Sequence, residues 1–201
     1  EAIYQIEAPN QVFNIVDGFG SINGGASVII ELENTVPIAM AVLKVSNEPE
    51  VLVPSDEPFT DLNENGIFNE GEDFIDWNQN NSWSPMVESL SLPNDWRVTG
   101  EIIDGEITIA FTNWTEPLEP DSRQLFRVNY SVGEEASLND IITVNSEPII
   151  ILDAWGNNGA TSSHNEGTVT IIDALSISNK SNVFSNSFSI DRIFPNPFNP
   201  L

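Results

Sequence analysis

The chain has no cysteine, a single histidine, and only 6 lysines and arginines against 31 aspartates and glutamates. Without cysteine there is no disulfide framework, no thiol nucleophile and no thiolate metal site. The formal charge of −25 repels nucleic-acid phosphates and anionic lipid surfaces, so neither is expected as a partner. No apolar run approaches the ~18 residues that a membrane-spanning helix requires. Apolar residues recurring at helical spacing are also scarce, and no amphipathic helix longer than two turns is expected. No signal peptide is visible ahead of the strand-like opening at Glu1, which reads as a mature or trimmed product.

Catalytic patterns are missing too. The lone His164 stands in the run Ser162-Ser163-His164-Asn165, which reads as a surface loop, and no nucleophile-elbow pattern surrounds either serine. Carboxylate pairs for glycoside hydrolysis can be drawn anywhere in so acidic a chain, and none stands apart from the general acidity. No glycine-rich phosphate loop is present. The expectation is a non-catalytic protein.

What is there is a calcium-loop pattern. Residues 61–72 read Asp-Leu-Asn-Glu-Asn-Gly-Ile-Phe-Asn-Glu-Gly-Glu, which fits D-x-[DN]-x-[DN]-G-x5-E throughout. Asp61, Asn63 and Asn65 place side-chain oxygens at alternate positions, Gly66 permits the sharp turn, Ile67 offers its carbonyl, Asn69 takes the water-bridging position, and Glu72 closes the shell with two oxygens. Hard oxygen donors in that number suit Ca²⁺ better than Mg²⁺, which holds to a stricter octahedron.

A degenerate copy follows at an offset of fifteen residues: Asp76, Asn78 and Asn80 repeat the ligand positions, Asn81 replaces Gly66 and Trp83 replaces Phe68. The closing glutamate is missing there, because Val87 stands in its place and Glu88 comes one step late. Asp73, between the loops, can serve either ion. One calcium site is expected, and a second, weaker one is open. Eight carboxylates fall within residues 56–76, so a divalent cation would relieve their mutual repulsion.

The rest of the chain has a period of two. Residues 27–33, 38–45, 106–111, 125–132, 140–144, 149–152 and 168–172 are rich in β-branched and aromatic side chains and are separated by Gly, Pro, Asn and Asp clusters. Residues 2–7 and 11–16 add one broken strand. An all-β, antiparallel jelly-roll or Ig-like sandwich over residues 1–175 is predicted, with the calcium-binding loop inserted at 56–84. Within that insertion Phe59, Phe68, Phe74, Trp77 and Trp83 are expected to cap its base against the sandwich. Residues 176–189, rich in Ser and Asn, read as a linker. Residues 190–201 carry three prolines in Pro195-Asn196-Pro197-Phe198-Asn199-Pro200, which excludes helix.

Two resemblances follow. Phe194-Pro195-Asn196-Pro197-Phe198-Asn199-Pro200 resembles the opening of the C-terminal secretion sorting domain of Bacteroidetes-type surface proteins. That implies export, by a signal-peptide and sorting-domain route, to the cell surface or beyond. The body is similar to a cohesin-type sandwich, through Gly25-Ala-Ser-Val-Ile-Ile-Glu-Leu-Glu-Asn34, residues 100–111, residues 120–132 and the closing Gly167-Thr-Val-Thr-Ile171. This second resemblance implies a structural or adhesive module that holds extracellular assemblies together. Self-assembly into a filament is one form of that, through the N-terminal strand and the apolar, proline-rich tail. Carbohydrate binding within a larger secreted enzyme is the alternative. Trp96, Trp114 and Trp155 would then make a stacking platform rather than fill the core or its rim.

Overall fold

Along the central strands, side chains alternate between buried and half-exposed positions, the pattern of a sheet with one face on a core. The computed structural model describes residues 10–22, 24–78, 80–93, 95–158 and 161–173. Residues 2–7, the linker at 176–189 and the tail at 190–201 lie outside them. The strands are β1 (Asn10–Val16), β2 (Gly18–Ser21), β3 (Gly25–Asn34), β4 (Ile38–Glu48), β5 (Leu52–Pro54), β6 (Val87–Ser89), β7 (Arg97–Ile103), β8 (Glu106–Thr112), β9 (Asp121–Val132), β10 (Ile141–Asp153), β11 (Thr161–Asn165) and β12 (Gly167–Ile172). There is no helix among the described residues, and none long and apolar enough to cross a membrane.

The strands pair in one connected order, β11-β1-β3-β2-β12-β10-β4-β8-β7, with β9 also on β3 and with β5 and β6 on β9. β7-β8-β4-β10-β12 forms one layer, β1-β3-β9 the other, and β2, paired with both β3 and β12, joins them. Across the layers, Phe111 of β8 meets Phe126 of β9 with ring centroids 5.1 Å apart. Around that contact, Phe13, Ile30, Leu32, Leu43, Ile109 and Val128 are fully or almost fully buried. Apolar burial on this scale, at roughly 25 cal/mol per Å², is the main term holding such a fold together.

Two pairings are parallel, β1 with β11 and β2 with β12, where an antiparallel sandwich was expected. At the break between β1 and β2 the Asp17 carboxylate accepts the Thr168 N–H at 2.7 Å. On either side of it the chain keeps one register against β11 and β12 and pairs with β3, so this broken strand lies between its neighbours and not at an edge. Residues 140–144 and 149–152, expected as separate strands, form the single β10, with a register shift between Pro148 and Ile150. A proline cannot donate to the ladder, and a bulge accommodates it. His164 was expected on a loop. It lies on β11, exposed, and pairs in register with Phe13.

Candidate metal centre

Between Pro54, where β5 ends, and Val87, where β6 begins, the chain leaves the sandwich. The first loop of this excursion is wound around the Asp61 carboxylate. Its Oδ1 accepts the Asn65 N–H at 3.1 Å and its Oδ2 the Gly66 N–H at 2.6 Å. Gly66 N–H leads the donors that hold the Asp61 carboxyl below its ordinary range. Asn63 Oδ1 accepts the Asn65 N–H at 3.1 Å, and Asn65 Oδ1 accepts the Ile67 N–H at 2.7 Å. Gly66 has φ 73°, in the left-handed region that glycine enters freely. Asn69 Nδ2 donates to the Ile67 carbonyl at 2.6 Å and to Asn65 Oδ1 at 3.4 Å, so both of those oxygens face the Asn69 side chain. Glu72, 8% exposed, folds back over the loop. Its Oε1 accepts the Leu62 N–H at 3.0 Å and its Oε2 the Asn69 N–H at 2.8 Å.

The second loop has the same bonds. Asp76 Oδ1 accepts the Asn80 N–H at 3.1 Å and Oδ2 the Asn81 N–H at 2.8 Å. Asn78 Oδ1 accepts the Asn80 N–H at 3.1 Å, and Asn80 Oδ1 the Ser82 N–H at 2.7 Å. Asn81 takes the left-handed turn at φ 60°; Asn tolerates that region better than most residues. Asp73, expected to serve either ion, presents an exposed side chain, and its carbonyl accepts the Thr60 N–H at 2.7 Å.

Sequence order alone puts Val87 at the closing position of this loop. In the structure Val87 and Glu88 belong to β6, and Glu88 pairs with Arg127 of β9. The carboxylate folded over the second loop is instead Glu57. Its Oε1 accepts the Trp77 N–H at 2.9 Å and the Asn78 N–H at 3.2 Å, and its Oε2 the Ser84 N–H at 2.8 Å. Trp77 and Ser84 occupy the places that Leu62 and Asn69 hold in the first loop. Burial pushes the Glu57 carboxyl up, and the N–H groups of Ser84, Asn78 and Trp77 oppose it. Residue-by-residue matching from Asp76 forward overlooks Glu57. The signal for it is that Glu57 precedes Glu72 by fifteen residues, the offset of the whole repeat.

The two repeats embrace about a local pseudo-dyad. Thr60 N–H donates to the Asp73 carbonyl at 2.7 Å, and Ile75 N–H to the Pro58 carbonyl at 2.8 Å. Each becomes the other when fifteen is added to one partner and taken from the other. Phe59 and Phe74 form an isolated antiparallel bridge. At the dyad Phe68 and Trp83 stack with centroids 4.9 Å apart, and Phe59 and Phe74 pack edge-on against them. These four aromatics were expected to cap the excursion against the sandwich. Their ring contacts are with one another, so they make a small core of its own. Trp77 does reach the sandwich, where its indole lies directly against Gly25 of β3.

Among the described residues no three His, Cys, Asp or Glu side chains converge. A cation at either loop would therefore depend on amide and carbonyl oxygens beside the carboxylates. That donor set is all hard oxygen, which fits Ca²⁺ and offers little to softer transition metals.

The candidate sugar platform divides. Trp96 is 7% exposed and donates through Nε1 to the Glu116 carbonyl at 3.1 Å, so it belongs to the core. Trp114 is 52% and Trp155 75% exposed, and Gly156 lies against the Trp114 ring. Asn113, next to Trp114, is buried, and its Oδ1 accepts the N–H groups of Thr115 and Glu116 at 2.9 and 3.1 Å.

No protein-family model matches this sequence, and no curated protein is similar to it in sequence. Solved structures match its fold. A non-cellulosomal cohesin from the hyperthermophilic archaeon Archaeoglobus fulgidus superposes with a TM-score of 0.57 at 15% identity, over 89% of this chain and 99% of that one. The sixth cohesin of Acetivibrio cellulolyticus scaffoldin B, solved in complex with a Cel5 dockerin, gives 0.54 at 11% identity, over 81% and 99%. The OlpA cohesin of Clostridium thermocellum, in complex with the dockerin Doc918, gives 0.53 at 14% identity, over 81% and 99%. The chain has the cohesin-type sandwich fold.

Proposed function

We propose that this chain is an exported, calcium-stabilised, non-catalytic module of the bacterial cell surface whose work is to hold protein to protein. The observation that supports it is the cohesin-type fold, matched over 99% of the length of each of two cohesins solved with dockerins bound. The acidic composition and the FPNPFNP resemblance are in keeping with an extracellular setting. Asp61, Asn63, Asn65, the Ile67 carbonyl, Asn69 and Glu72 would hold one Ca²⁺. The ion would supply the ordering that so small an aromatic core lacks.

The test is thermal unfolding with calcium and with chelator. An ion at a hundredfold over its Kd adds about 2.7 kcal/mol, a Tm rise of roughly 5–10 °C for a domain this size. Asp61→Ala combined with Glu72→Ala is expected to remove the part of the calcium-dependent rise that this ion supplies. An unchanged Tm and unchanged protease sensitivity of residues 56–84 on chelation would refute the calcium reading.

A second reading, carbohydrate binding, is favoured by one observation, the neighbouring exposed indoles of Trp114 and Trp155. A sugar face stacked on such a ring needs an open aromatic surface. If it holds, a glycan array gives saturable binding that Trp155→Ala abolishes. An array without binders leaves the protein-holding reading in place.

A further inference from the structure

We infer that the excursion holds a second calcium ion in the loop of residues 76–84, and that Glu57, nineteen residues ahead of Asp76, is the carboxylate that closes it. This rests on the calcium reading of the first loop.

The first ground is a buried charge. The Glu57 side chain is fully buried, at 0% exposure. The ion pairs among the described residues engage Lys44, Arg123 and Arg127 and none involves Glu57. A carboxylate withdrawn from water without a cation is costly, and the usual remedies are a basic partner or a metal. Backbone N–H groups satisfy part of its hydrogen-bonding capacity. Two carboxylate oxygens offer about four lone-pair sites, and Glu57 uses three, two on Oε1 and one on Oε2. A fourth remains on the carboxylate, which closes over the loop of Asp76, Asn78 and Asn80.

The second ground is independent of that geometry and lies in the sequence. Glu57, Phe59, Asp61, Asn63, Asn65 and Phe68 are matched, fifteen residues on, by Glu72, Phe74, Asp76, Asn78, Asn80 and Trp83. A repeat unit that starts at the glutamate contains its own Asp-x-Asn-x-Asn loop. Folding then exchanges the glutamates. Glu72 of the second unit covers the first loop, and Glu57 of the first unit covers the second. The backbone frame agrees, because Glu57 N–H donates to the Ser84 carbonyl at 3.0 Å and Glu72 N–H to the Asn69 carbonyl at 3.1 Å. The second loop is therefore not missing its closing group; it receives it from the other unit.

The exchange alters the expected affinity. Each loop has two carboxylates, Asp61 with Glu72 and Asp76 with Glu57. Affinity follows ligand charge and rigidity, so the second ion is held about as tightly as the first, instead of more weakly. Ser82 stands where Ile67 offers its carbonyl, and Ser84 where Asn69 bridges through water.

Calorimetric titration of the full chain with Ca²⁺ decides it. The wild type is expected to bind two ions. Glu57→Gln and Glu72→Gln are each expected to keep one and to weaken the other at least tenfold. A wild type that binds none refutes the underlying calcium reading. One ion, lost in Glu72→Gln and kept in Glu57→Gln, leaves that reading standing and overturns the inference. Two ions retained at full affinity in Glu57→Gln also overturn it. If Glu57→Gln fails to fold by circular dichroism, Asp76→Ala, at a half-exposed position, replaces it: loss of one ion with the fold intact supports the second site, and no loss refutes it.

Discussion

Gly25 is one of the places where the excursion touches the sandwich. A Cβ at this position would fall inside the contact distance of the Trp77 indole, at Cβ, Cγ and Cδ2. Trp77 in turn gives its N–H to Glu57 at 2.9 Å. A methyl group on β3 therefore presses on a residue whose N–H holds the Glu57 carboxylate. Gly25→Ala is expected to cost about 1–3 kcal/mol, the usual range for overpacking, and to speed proteolysis within residues 56–84. Because the strain is a clash with one ring, Trp77→Leu should recover part of the loss in the Gly25→Ala background. A double-mutant cycle on urea midpoints measures that coupling. Additive losses would mean that Trp77 is not the residue resisting the methyl.

At the scale of the element, the excursion folds around its own aromatic core while the sandwich folds around another, so the two should open separately. Trp83 is the keystone of the small core: it stacks on Phe68, packs edge-on to Phe59, and donates through Nε1 to the Glu57 carbonyl at 2.8 Å. Trp83→Ala loses ring-pair energy of about 0.5–1.5 kcal/mol beyond the area it buries. Hydrogen exchange is expected to quicken across residues 57–84 and to stay unchanged in β3, β4 and β8. Uniform quickening throughout would show that the two cores unfold together. The same division explains what could be read from the sequence. Strands such as β4 and β8 are legible because one buried face forces an alternation of apolar side chains. β7 is not, since Arg97, Thr99, Gly100 and Glu101 leave no apolar face to follow. β11 is Thr-Ser-Ser-His-Asn and is a strand only because β1 lies beside it. Likewise the donors of the first loop are contiguous and legible, whereas Glu57 reaches its loop only after the two repeats have closed on each other. Spacing within one loop cannot reveal a carboxylate contributed by its neighbour.

For the molecule as a whole, the issue is how copies could join. The sequence offered two segments for exchange, the N-terminal strand and the tail. β1 is flanked by β3 and by β11, and its Phe13 and Ile15 are buried. Residues 10–16 are thus already paired within their own chain, and giving them to a neighbour would mean opening the core. That shifts the weight to residues 190–201. Ile190, Ile193, Phe194, Phe198 and Leu201 lie on a proline-rich segment with no helical option, and such apolar content is more than a solvated peptide usually carries. Residues 176–189, if they are the linker their sequence suggests, would be long enough at roughly 3.3 Å per extended residue to reach another copy. A tail received by the next copy makes a head-to-tail contact, and such contacts propagate into rings or filaments. Deleting residues 190–201 is expected to abolish polymers seen by electron microscopy. Calcium-dependent melting should be unchanged, because the deletion leaves both loops and the sandwich whole. If the undeleted chain sediments as a monomer at high concentration with calcium present, the tail does not join copies, and its part is the sorting signal that its sequence resembles.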